Sequence, residues 1–137
     1  MRKSGYSCLA ELTLASGRRC DLICLSKKGD IVIIEVKSSV EDFRVDNKWP
    51  EYQKYCDEFY FATHADVPTD TFPEAEGLFI ADAYGAEIIR AAKENSITAA
   101  TRKTLLLRFA HIANNRLRIT TNYAEKAGFE VDYSTEE

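Results

Sequence analysis

The segment YSCLAELTLASGRRCDLICLSKKGDIVIIEVKSS, residues 6–39, constrains the fold more than any other part of the chain, because it repeats a β-rich run followed by a glycine-containing turn. The first run, about Cys8 to Leu14, ends at ASGRR; the second, Arg19 to Leu25, ends at SKKGD; the third is Ile31 to Val36. Short apolar runs with such turns between them predict consecutive strands in an antiparallel meander.

Beyond Ser39 the pattern changes. VEDFRVDNKWPEYQKYCDEF is polar and aromatic, and Pro50 suits the first turn of a short helix from about Trp49 to Cys56, where its missing N–H costs nothing. EFYFATH then reads as an aromatic strand, followed by the loop ADVPTDTFPEAE. GLFIADAYG and AEIIRAA form a hairpin around a Tyr-Gly turn near the sheet edge. The stretch ITAATRKTLLLRFAHIANNRL is helical, with Leu105, Leu106, Phe109, Ile112, Ala113 and Leu117 on one face, and the final GFEVDYSTEE is expected to be loose. The order is β-β-β, helix, β, β-β, helix, without repeats or linkers. It predicts an α/β fold of one domain over 1–137, with a mixed central sheet flanked by helices.

Composition narrows the function classes. An apolar share of 45% and a charged share of 29% favour a folded soluble domain. No apolar run approaches the roughly 20 residues that span a bilayer, and MRKSGYSC has no signal-peptide core, so no membrane partner and a cytoplasmic location are expected. Cys8, Cys20, Cys24 and Cys56 form no C-x-x-C pair, and His64 and His111 lie far from them, so reduced thiols are expected and a zinc site is not. The net charge of −4 opposes nucleic-acid binding on average, yet no acid falls between Glu94 and Glu125, an interval holding Arg102, Lys103, Arg108, His111, Arg116 and Arg118. The N-terminal half adds Arg2, Lys3, Arg18, Arg19, Lys27 and Lys28.

The chemistry is concentrated in IVIIEVKSS. Side chains alternate along a strand, so Ile33, Glu35 and Lys37 share one face. Asp21 is a lone acid in the apolar run before it, and pairing through SKKGD can bring it beside them. Two carboxylates offer hard oxygen ligands to Mg²⁺, and an ammonium can orient water and offset charge on a phosphodiester under attack. An E-x-K triplet alone reads best as a solvated surface pair of little energetic worth; Asp21 on the neighbouring strand shifts the balance toward a site. Glu11 on the first strand can join, as a further ligand or by holding Lys37. Lys48 and Tyr52, four apart, fall on one face of the expected short helix, and Asp42 and Asp46 lie in the loop before it. Trp49 and Tyr52 can stack on a base or sugar, although a Trp beside a helix-initial Pro is more often a core anchor.

These residues resemble the PD-(D/E)XK nuclease superfamily: Asp21, then Glu35-Val36-Lys37, on the second and third strands of a meander followed by a helix. Lys48 with Tyr52 is similar in placement to the Gln-x-x-x-Tyr helix motif of some members. A wider resemblance, carried by GRRCDLICLSKKGDIVIIEVKSSVEDFRVDNKWPEYQKYCDEFYFAT, GLFIADAYGAEIIR and RKTLLLRFAHIANNRL, is to MmcB-type bacterial DNA repair proteins. It implies a restriction-endonuclease-like core, a repair role, and a Mg²⁺- or Mn²⁺-dependent DNA endonuclease. Asp21 and Glu35 would be metal ligands, Lys37 the catalytic lysine and Glu11 the auxiliary acid. In many members that acid comes from an N-terminal helix, which is expected to be shortened or missing here. Candidate substrate contacts are Lys48, Tyr52, Trp49, Arg19, Ser38, Arg102 and Arg108. The expected partners are DNA and other repair proteins, and a homodimer is compatible with the sequence. Two other classes stay open: a catalytically silent DNA- or protein-binding module, and an interaction subunit without a nucleic-acid role.

Overall fold

The computed structural model describes residues 5–128. Its opening meander is β1 (Ser7–Thr13), β2 (Arg19–Leu25) and β3 (Ile31–Val36), paired antiparallel in sequence order. β4 (Glu58–Thr63) lies parallel to β3, β5 (Gly77–Asp82) parallel to β4, and β6 (Gly85–Arg90) antiparallel to β5 at the far edge. The result is a six-stranded mixed sheet of order β1-β2-β3-β4-β5-β6. A parallel step needs a crossover of a dozen or so residues; between β3 and β4 this is α1 (Val40–Arg44) and a 3-10 helix, Trp49–Tyr55. A long helix, α2 (Ala99–Lys126), is the last element among the described residues.

Period-two patterning splits the apolar residues of the sheet between two faces. Ile31, Ile33, Phe59, Phe61 and Leu78 face the main core with Tyr52 and Leu105, while Val32, Ile34, Tyr60 and Phe79 form a smaller cluster on the reverse. Phe61 is the hub of the main core, its ring centroid 5.4 Å from Phe43, 5.2 Å from Trp49 and 5.0 Å from Phe59. Arg102 ties the start of α2 to one end of the sheet. It forks onto Asp57 at 2.7 Å through both terminal nitrogens and donates to the Gly29 carbonyl, while Asp57 accepts the Ile31 N–H.

Three elements depart from the sequence reading. The helix at Trp49 is 3-10, not α; at about three residues per turn, positions four apart no longer share a face, so the expected Lys48–Tyr52 pairing is lost. α1 was not anticipated; its Ser39 hydroxyl accepts the Asp42 N–H, an N-cap that pattern alone left unread. α2 runs past the expected end to Lys126, and Leu117 is 55% exposed instead of packed. Of GFEVDYSTEE, all but Gly128 lies outside the described residues.

Candidate active site

Asp21 and Glu35 meet where the β2–β3 ladder stops. The register runs from Leu25↔Ile31 to Leu22↔Ile34 and would next pair Asp21 with Glu35. Instead the Asp21 N–H donates to Glu35 Oε1 at 3.0 Å, and the Val36 N–H donates to Asp21 Oδ2 at 2.8 Å. Each carboxylate thus replaces a main-chain acceptor on the opposite strand, leaving its second oxygen for another partner. Side-chain alternation also breaks here: on β1 Leu9 and Leu12, and on β2 Cys20 and Ile23, face the same core although three apart. Glu11 sits at the break. It lies opposite Asp21, between Ala10↔Leu22 and Leu12↔Cys20, with a left-handed φ of 56°.

Burial makes this charge cluster unusual. Glu35 is 5% exposed and Lys37 8%. Burial pushes the Glu35 carboxyl up to about 8, with the nearby Asp21 carboxylate adding to the rise and the Asp21 N–H and Lys37 opposing it. Among the described residues no cation pairs with the two acids; the Lys37 ammonium pairs instead with Asp46 Oδ2 at 2.8 Å. Asp46 Oδ1 accepts the N–H groups of Lys48 and Trp49, capping the 3-10 helix. Burial tends to raise the Asp46 pKa, but its bonds from Lys37 and those two N–H groups outweigh burial and hold it below the usual carboxylate range. The main chain at Lys37 is also fixed: its N–H donates to the Ala62 carbonyl and its carbonyl accepts the Thr63 hydroxyl at 2.7 Å.

The other candidates divide. Arg19 and Lys48 are exposed near the acids. Tyr52 is buried beside the cluster and donates its hydroxyl to the Arg19 carbonyl; burial first, then Glu35, lifts its pKa to about 12. Trp49 stacks on Phe59 at 5.8 Å, a core anchor and not an open platform. Ser38 is engaged with the Asp42 carboxylate through both its N–H and its hydroxyl. Arg108 donates to the Thr13 carbonyl on the open edge of β1. Arg102, committed to Asp57, stands at the opposite end of the sheet from Glu35. The pairing of Asp46 with Lys37 was missed; its one sequence cue is an Asp shortly before a Pro-containing helix start. Cys20, Cys24 and Cys56 are buried free thiols and Cys8 is half-buried.

Among the described residues no group of three or more His, Cys, Asp or Glu side chains is placed to hold a metal ion, and no helix is long and apolar enough to cross a membrane. The sequence profile of the MmcB-like DNA repair proteins matches residues 1–124. The chain belongs to the MmcB-like family. Membership gives it a DNA repair role. A solved structure of the family fold, the SPO1766 protein of unknown function from Silicibacter pomeroyi, is 38% identical, with a TM-score of 0.83 over 95% of this chain and 87% of that one. No curated protein matches the chain.

Proposed function

We propose that this MmcB-like chain is a metal-dependent DNA nuclease of the PD-(D/E)XK kind. The observation that carries the reading is the crossed pair Asp21–Glu35, two carboxylates from adjacent strands anchored by backbone N–H groups and pointed at each other. The repair family and the strand order, a meander followed through a helical crossover by a parallel strand, support it.

The donor set fits Mg²⁺ or Mn²⁺. Mg²⁺ is held through one or two carboxylates and keeps several waters, and here two acids converge where the β2–β3 ladder stops. Asp21 and Glu35 would hold the ion; what it supplies when bound is a more acidic water and a counter-charge to phosphate. The chain's own residues do the rest. The crossed hydrogen bonds fix both carboxylates before any ligand arrives. Lys37, clamped by Asp46, sets a positive charge at the end of β3, where negative charge grows on a phosphodiester under attack. Arg19 and Lys48 are exposed beside that point and suit backbone phosphates.

The test is cleavage of plasmid, single-stranded and branched DNA with Mg²⁺ or Mn²⁺, beside calorimetry of metal binding. Asp21→Asn and Glu35→Gln should abolish metal uptake, and with Lys37→Ala should lower cleavage on the order of 100-fold or more. Unchanged cleavage in Lys37→Ala, or no metal uptake by the parent chain, would sink the reading. One observation favours a silent binding module instead: Lys37 is turned onto Asp46, not onto the acids. Under that reading DNA binding persists without metal uptake.

A further inference from the structure

The inner stripe of α2 changes character part-way along. Leu105, Phe109, Ile112, Arg116, Thr120 and Tyr123 follow one another at intervals of three and four and so lie on one face. The first three pack in the main core. The last three are exposed, Tyr123 at 74%. At about 1.5 Å per residue, α2 is roughly 40 Å long, close to twice the span of a seven-residue strand. Its second half therefore extends past the end of β1, covered at Thr121, which is 7% exposed, and open to water at Arg116, Thr120 and Tyr123.

It leaves beside the acids. Arg116 donates to the Glu11 carbonyl at 3.2 Å, and Glu11 lies opposite Asp21. One of the five guanidinium donors is used in that bond. Charge points the same way: α2 carries Arg102, Lys103, Arg108, Arg116, Arg118 and Lys126 against one acid, Glu125, in a chain of net charge −4. Of the exposed apolar residues, Leu107 and Leu117 lie off the Tyr123 face, and Ile119 is one turn before Tyr123, so the apolar part of that face is short and flanked by Arg116.

We propose that the projecting half of α2 is a contact arm for DNA with unpaired bases, Arg116 meeting backbone phosphate and Tyr123 stacking on a base. Exposed aromatics serve single strands because every base has a π-face, whereas paired bases are already stacked. The inference rests on the nuclease reading only in taking DNA as the ligand of this end of the sheet. It narrows the substrate class to single-stranded or partly unpaired DNA.

Fluorescence anisotropy with labelled single-stranded and duplex oligonucleotides, in EDTA so that nothing is cut, tests it on the full chain. Tyr123→Ala should weaken single-strand binding about tenfold and duplex binding less than about threefold. Arg116→Gln should weaken both and reduce the salt slope by about one. Arg118→Ala, on the far side of the same helix, should cost less than about threefold. Circular dichroism checks that each variant folds. The arm is overturned if the wild type has no DNA affinity, if Tyr123→Ala and Arg116→Gln bind like wild type, or if Arg118→Ala loses as much as they do. Binding losses as stated, without cleavage by the wild type, would remove the nuclease reading and leave the arm standing.

Discussion

Asp46→Asn isolates the charge that holds Lys37. The amide oxygen can still accept the N–H groups of Lys48 and Trp49, so the cap survives and only the ion pair is lost. The two side chains are 10% and 15% exposed, so the pair is nearly out of water. Removing one member of a buried pair costs about 3–5 kcal/mol, because the other is left charged and unpaired. A flexible lysine stem lets the ammonium reach toward solvent, which places the expected loss near the lower end, about 3 kcal/mol. Urea unfolding should show it as a fall in midpoint at unchanged slope. Adding Lys37→Met removes the stranded ammonium, and the double variant should regain at least about 2 kcal/mol of the loss. A loss below about 1 kcal/mol for Asp46→Asn, or plain additivity in the double variant, would refute the reasoning, since Lys37 would then have another partner in solution.

Asp57 is held below the usual carboxylate range chiefly by its hydrogen bonds from Arg102, against the opposing effect of burial. Its folded pKa is depressed, so its stabilisation is complete above about pH 4 and is lost as pH falls through the folded value. Melting temperatures between pH 2 and 7 should decline less steeply at the acid end for Asp57→Asn. Glu11→Gly should be neutral or raise the melting temperature, because a left-handed residue with a Cβ carries about 1–2 kcal/mol of strain that glycine avoids; a clear loss would count against the strain. Gly77→Ala should cost about 1–3 kcal/mol by denaturant unfolding, as its Cβ would stand 2.5 Å from the Tyr60 ring and 2.9 Å from Ala92 Cβ.

The strand content was legible because it follows from local pattern. β2 and β3 fall at the residues where alternation and turn glycines put them, and pairing through the SKKGD turn sets Asp21 beside Glu35, while Lys37 turns to Asp46. Other features depend on contacts distant in sequence. Asp46 reads as loop until Lys37 arrives from β3, and Arg102 reads as a DNA contact until the fold sets Asp57 beside it. Tyr52 and Trp49 looked available because aromatic residues suit a core and a ligand equally; packing on Phe59 decided for the core. The break at Glu11 has no cue at all, since a left-handed glutamate inside a strand contradicts its own propensity.

The crossed bonds between Asp21 and Glu35 have an evolutionary side. Each acid completes the hydrogen bonding of the neighbouring strand, so a change to alanine leaves the N–H of Val36 or of Asp21 without its acceptor. At the part-buried Asp21 N–H such a loss costs up to about 1–3 kcal/mol before any reaction is considered. Relatives of this design are under pressure to keep both acids as scaffold, whether or not the pair does chemistry. Asparagine and glutamine, which keep the acceptor and drop the charge, are the changes this scaffold would tolerate first.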